Sequence, residues 1–239
     1  MLKKMLIATS LVLSACYFSA TCTQADTSPI PSSKKSPKRK HQEIMSPRET
    51  PKRKKQEIAN FFDAIQQGDL DRVNAQIQTN ATLVNTKNAN DSTPLIEAVT
   101  SGNMPIIQSL IDAGASINAQ GVLGVTALVA AAQNNNPSPT IIQALINAGA
   151  HVDEKTMSDE EYGIAPLFAF IDNNMLMSSS PDAQLAEKIL TILLGAGADI
   201  NTRCGGFTPL DLVRFKLRHQ PDNVALLKIV DILTAIAAL

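Results

Sequence analysis

The sequence predicts an all-α repeat array, and three observations carry that reading. A Thr-x-Leu or Pro-Leu motif recurs, with 33 residues from Thr93 to Thr126. Each motif is followed by an apolar stripe, as in Ile106, Ile107, Leu110 and Ile111, whose spacing lays it along one face of a helix. Glycines then close three of the stripes, at Gly114, Gly149 and Gly197, where a helix ends most easily with φ > 0.

The elements follow in chain order. The first unit, Phe61-Phe-Asp-Ala64 with Gly68, Val73 and Ile77, keeps the spacing but lacks Thr-Pro-Leu. The second is the clearest: Ser92-Thr-Pro-Leu-Ile-Glu-Ala98, then Gly102-Asn103, then the stripe ending at Asn118. Thr93 is placed to cap a helix, and Pro94 at its first position has no amide to leave unpaired. The third runs from Val125-Thr-Ala-Leu to Asp153, the fourth from Ile164-Ala-Pro-Leu to Asn201, and the fifth opens at Phe207-Thr-Pro-Leu. Small Ala98, Ala131 and Ala169 let helices stack closely. No unit buries its stripe alone, so neighbours bury it jointly.

These motifs resemble the ankyrin repeat, with its period of about 33 residues and its Thr-Pro-Leu-His-x-Ala signature. The resemblance covers about three quarters of the chain. It implies an all-α ankyrin solenoid of about five repeats, helix-turn-helix units joined by hairpin-like loops. The signature His is replaced by Ile96, Val129, Phe168 and Asp211, which puts its inter-repeat hydrogen bonds in doubt. Insertions are expected at 134–139, 175–181 and 218–223. The apolar tail from Thr234 to Leu239 is expected as an irregular cap or as an open apolar end.

Ahead of the array lie two further segments. Lys3 and Lys4, the apolar run Leu6 to Leu13 and small residues give the layout of a secretory signal peptide. Leu13-Ser14-Ala15-Cys16 resembles the bacterial lipoprotein cleavage box, which implies cleavage before Cys16 and acylation there. Ordinary cleavage after Ala25, and a retained membrane anchor, are the competing readings. The expected organisation is a signal peptide at 1–15, a flexible basic linker at 16–58 and the repeat domain at 59–239.

The formal net charge of -1 conceals an asymmetry. Residues 26–58 hold ten Lys/Arg against four acidic residues, whereas residues 59–239 hold nine against eighteen. Within the basic arm, Ser36-Pro-Lys-Arg-Lys-His-Gln-Glu-Ile44 is repeated as Thr50-Pro-Lys-Arg-Lys-Lys-Gln-Glu-Ile58. Three uses compete: a solvated spacer, contact with an anionic surface through Lys38, Arg39, Lys40, Lys52, Arg53, Lys54 and Lys55, or nuclear localisation or nucleic-acid binding. Each Lys or Arg beside an anionic bilayer contributes about 1 kcal/mol. Export and the 4% aromatic content argue against nucleic acid.

Candidate chemistry is thin. Gly195-Ala-Gly197 closes a helix instead of following a strand, so it is no dinucleotide loop. His41, His151 and His219 are not at ligand spacing, and the acidic run around Asp153 reads as a solvated loop. The chain is therefore expected to be no enzyme, with no cofactor and no metal, and to be a monomer that binds another protein. Ankyrin arrays recognise proteins with hairpin tips and the exposed side of the first helices. The resemblance thus implies contact residues Ala89, Asn90, Ser92, Val122, Leu123, Val125, Tyr162, Ile164 and Phe207. Packing of the tips on one another is the alternative. The expected setting is the bacterial envelope, lipid-anchored at the outer membrane or periplasmic face, where the module sequesters or scaffolds a partner. The alternative is a secreted effector in a host cell.

Overall fold

A computed structural model describes residues 51–156, 163–173, 176 and 182–238. The chain divides into two units after Arg53, and the second, Lys54–Leu239, holds the repeat stack. Among the described residues there are ten α-helices, two short 3-10 helices and no strand. In order they are α1 Pro51–Gln67, α2 Leu70–Thr79, α3 Pro94–Ser101, α4 Met104–Asp112 and α5 Ala127–Gln133. Then come α6 Pro139–Asn147, α7 Pro166–Asp172, α8 Ala183–Gly195, α9 Pro209–Leu217 and α10 Val224–Ala237. The 3-10 helices are Ala81–Asn85 and Val122–Gly124.

Helices α3, α5, α7 and α9 pack side by side as one row, and α2, α4, α6, α8 and α10 as a second. Each member of the first row also packs on the helix that follows it. The core lies between the rows, with Ile65, Leu95, Ile107, Leu128, Leu145, Leu167 and Leu193 all sealed from solvent. This is the expected all-α ankyrin solenoid.

Local chemistry fixes the helix ends. Thr93, Thr126 and Thr208 accept from the backbone amides of Ile96, Val129 and Asp211, the N-cap bond read from the sequence. Asp211 returns the bond at Thr208, completing a capping box. Gly114, Gly149 and Gly197 have φ of 82°, 91° and 92°, as their helix-closing place requires.

The doubt over the missing His is resolved by other residues. Asn85 donates to the Gly114 carbonyl (3.1 Å) and accepts from the Ser116 amide (2.7 Å). Asn118 repeats both bonds one unit on, to Gly149 and from His151. Asp153 accepts from Asp199 (2.9 Å) but carries no amide N–H to donate. A second ladder runs through the inter-helix loops. Asn134 donates to Val99 and Thr100, Asn173 to Ala132 and Asn134, and Asn223 to Leu176. Each bond joins neighbouring repeats, so backbone carbonyls at the joints are paired without a signature histidine.

Two expectations change. Helix α1 opens at Pro51, inside the stretch expected as linker. Its Lys, Arg, Gln and Glu are good helix formers, and Ile58 packs on the core below them. The tail is not irregular either: α10 continues through Ala237. The loops at 134–138 and 218–223 fall between helices as expected, whereas the 175–181 insertion lies outside the described residues apart from Leu176.

Candidate protein-binding face

The described parts of the tips between repeats are hydrogen-bonded in different ways. In the first, the Asn88 side chain accepts from the amides of Asn90 (2.9 Å) and Ser92 (3.0 Å) and donates to Glu97. Lys87 pairs with Asp91 at 3.0 Å. In the second, the Gly121 amide donates to the Val125 carbonyl (2.8 Å), and Val125 donates back to Val122 (3.1 Å). In the third, the Thr156 amide donates to the Ile164 carbonyl, while the Ile164 amide donates to the Thr156 hydroxyl. In the fourth, Cys204 and Phe207 exchange both backbone bonds across Gly205 and Gly206, both with φ > 0. Two successive left-handed residues are what a tight two-residue hairpin demands.

The contact residues implied by the sequence separate by exposure. Ala89 and Asn90 are open to solvent, as are Val122 (36%) and Leu123 (39%). Val125 and Phe207 are half-buried and pack against the core. Ser92 (9%) and Ile164 (6%) are buried, so they offer little to a partner and are withdrawn from the contact set. Both sit where the tip chain turns back into a helix, which draws them under the tip. Tyr162 lies outside the described residues, as do Lys38, Arg39, Lys40 and Cys16. Lys52, Arg53, Lys54 and Lys55 are exposed on the first turn of α1.

Leu123 is the unusual residue. It has φ 57° and ψ 22°, in the left-handed region that a leucine enters at a cost of roughly 1–2 kcal/mol. Its tip is held tightly: a Cβ added to Gly121 would lie 3.1 Å from Ile96 Cδ1 and 3.3 Å from the Asp91 carbonyl. The first two tips thus touch at their bases, while Val122 and Leu123 project beyond the contact. The sequence marked both residues as apolar at a tip. It gave no sign of the strain, because leucine is a poor marker of a left-handed position.

Burial shifts titratable groups at the fourth tip and at the C-terminal ends of α7 and α9. Burial pushes the Cys204 thiol up to about 11, and the Asp172 carboxylate adds to the shift. The thiol is therefore protonated near neutral pH and a poor nucleophile. Lys216 Nζ lies 3.5 Å from Asp172 Oδ1, and burial moves both groups toward neutrality against their mutual attraction. Among the described residues no His, Cys, Asp and Glu group could hold a metal ion, and no helix is long and apolar enough to cross a membrane.

The matched class agrees with the stack. Residues 61–156 match the family model for ankyrin repeats, in 3 copies, and the fourth and fifth helix pairs lie beyond that match. The chain is similar to the rat ankyrin repeat and SAM domain-containing protein 6, 27% identical over 152 residues, 63% of this chain and 16% of the relative. It is also similar to the human protein phosphatase 1 regulatory subunit 27, 36% identical over 93 residues, 39% of this chain and 59% of the relative. The mouse counterpart of the rat protein is 30% identical over 141 residues, 59% of this chain and 15% of the relative. The chain thus spans less than two thirds of the length of each of these relatives.

Proposed function

We propose that the chain is a non-catalytic protein-binding module whose contact face is the row of tips, centred on Val122 and Leu123. The observation that carries this reading is an exposed apolar pair, one member strained, on a turn braced by its neighbour. Strain of this kind concentrates at binding sites. The human relative is named as a regulatory subunit of a phosphatase, which supports a protein as the partner class. Leu123→Asn tests the reading, because Asn tolerates the left-handed region and removes the apolar group. Affinity capture with the full chain should retain a set of proteins that the variant loses by tenfold or more, with the denaturation midpoint unchanged or higher. Equal capture by both chains overturns the tip as the contact.

Leu13-Ser14-Ala15-Cys16 supports a location at the bacterial envelope, with the module anchored by lipid at Cys16 and the basic tags, Lys52 to Lys55 among them, lying against anionic lipid. There it sequesters or scaffolds its partner. A secreted effector, with Pro-Lys-Arg-Lys as a nuclear or nucleic-acid signal, is the alternative. Detergent partitioning of the wild type and Cys16→Ser separates them: the envelope reading requires the variant alone to leave the detergent phase.

A further inference from the structure

The helix that opens the stack is longer than its counterparts. α1 has 17 residues, against 8 in α3 and 7 in α5. Two contacts fix its direction. A Cβ on Gly68, just past its C-terminus, would lie 3.0 Å from Asn103 Nδ2 in the loop that follows α3. Near the other end, Glu57 accepts from Asn80 (2.9 Å), the C-cap of α2, where the chain turns toward the first tip. α1 therefore runs in the same sense as α3, with its start at the tip edge of the stack. Matching Ala64 and Gly68 to Ala98 and Gly102 sets Ala59 level with Thr93, the N-cap of α3. Residues 51–58 are additional, and at about 1.5 Å per residue they carry the helix roughly 12 Å past that edge.

On this projection residues 51–56 are all exposed. Four in succession are cations: Lys52, Arg53, Lys54 and Lys55. Successive residues of a helix lie about 100° apart, so these four ring it. A surface laid along the helix meets Lys52 and Lys55, which are three apart, and leaves Arg53 and Lys54 turned away. A flat surface met end-on is reached by all four, because their long stems bend forward. The acidic body sets a limit on such an approach, since residues 59–239 hold nine Lys/Arg against eighteen acidic residues. Screening acts over about 8 Å at physiological salt. A projection of roughly 12 Å thus lets the cations touch an anionic surface while the acidic body stays outside most of its field.

We infer that α1 docks end-on against anionic phospholipid, so that the stack stands with its tip edge toward the bilayer and roughly 12 Å off it. The inference rests on the envelope reading and adds an orientation to it. From Cys16 to Pro51 is 35 residues, so a lipid at Cys16 confines α1 to the neighbourhood of the headgroups. An acidic protein segment would lie along the helix and pair with one face of it, whereas a plane of lipid phosphates takes the whole ring. Each Lys or Arg at such a surface contributes about a further fivefold in affinity.

Vesicles of equal parts phosphatidylglycerol and phosphatidylcholine, carrying an acceptor-labelled lipid, test the inference. The full chain carries Cys16→Ser, Cys22→Ser and Cys204→Ala, so that no lipid anchors it and one dye reports at a time. A donor dye is placed at Asn90→Cys on the first tip, or at Asn135→Cys in the loop at the far end of α5; both positions are exposed. In low salt the bound chain should hold the Asn90 dye closer to the acceptor plane by about 10 Å or more, the length of α5. Vesicles of phosphatidylcholine alone should bind at least tenfold less. Lys54→Glu with Lys55→Glu should weaken binding to the anionic vesicles tenfold or more and remove the difference between the dyes. Its circular dichroism should match the parent, because carboxylates suit the start of a helix. Should that variant misfold, Lys54→Gln with Lys55→Gln decides in the same way. No preference for anionic vesicles, equal distances for the two dyes, or binding indifferent to the α1 variants overturns the inference. The envelope reading is judged apart from this, by the detergent partitioning in which the lipid at Cys16 is the variable.

Discussion

At the scale of single residues, side chains that depart from the repeat pattern carry the testable consequences. Leu123 occupies a left-handed position in which glycine suffers no Cβ clash. Leu123→Gly is expected to raise stability by about 1 kcal/mol, read from urea denaturation at constant slope; a loss would mean that the leucine is held by packing. Asp153 is the one ladder residue here that accepts without donating. Asp153→Asn restores the donor that Asn85 and Asn118 aim at Gly114 and Gly149, and should add roughly 0.5–1.5 kcal/mol. No gain would show that the Gly197 carbonyl is already satisfied. The Lys216–Asp172 pair behaves in the other sense. Burial raises Asp172 above its ordinary carboxylate value, so the folded chain loses stability from this group as pH rises through 3.8 toward the folded value. Lys216 is lowered, so the folded chain gains from it as pH rises through the folded value toward 10.5. Between those windows both groups are charged at a cost. Replacing both, as Lys216→Met with Asp172→Asn, should give a chain more stable at pH 7 than either single variant. A double variant weaker than both singles would show attraction outweighing desolvation.

At the scale of elements, helix starts are where sequence and structure agree most closely. Thr126 is buried and caps α5 through its hydroxyl. Thr126→Ala should cost about 1 kcal/mol, the usual size of an N-cap loss, and Thr126→Ser should recover most of it. Helix α1 shows an opposite arrangement. Its first turn carries Lys52, Arg53 and Lys54 with no acidic residue, at the end where the helix dipole favours negative charge. The charges of that turn therefore oppose the dipole of their own helix. The Asn-based ladders belong to this scale too. They do at each joint what a single repeated His would do, but with residues lent by loops rather than by the first-row helices.

At the scale of the whole stack, one continuous core runs from Phe61 to Leu233. Ladder bonds cross the joints, so neighbouring repeats support one another along the array. Cys204 reports on the far end of that core. An unfolded thiol ionises from about 9.0, whereas the folded one keeps its proton to about 11. The unfolded state thus sheds the proton first, and stability is lost as pH climbs between those values. At about 1.4 kcal/mol per unit the loss approaches 2–3 kcal/mol. Cys204→Ala should remove this slope, so the stability difference between wild type and variant should narrow or reverse from pH 9 to 11. A difference that stays constant across that range would show the thiol to be no more protected folded than unfolded.

Sequence alone determined the repeat period, the caps, the helix-ending glycines and the apolar stripes. These features are local or recur at fixed spacing, so they are visible along one chain. Leu123 and Val122 were legible as tip residues for the same reason. What the sequence could not decide depends on neighbours distant along the chain. Ser92 and Ile164 look exposed at a tip, yet the turn back into the helix buries them. Asn85, Asn118 and Asn134 look like ordinary loop residues until the next repeat places carbonyls and amides at bonding distance. Lys216 reads as a solvated charge in the last turn of a helix, and only the packing of α9 on α7 brings Asp172 to it and withdraws both from water. The same holds for α10. Leu227 and Val230 keep the buried pattern of the earlier repeats, and what exposes them is the lack of a covering repeat among the described residues. Period and propensity act within a few turns of chain, whereas burial, pairing and exposure are set by which surfaces the stack brings together.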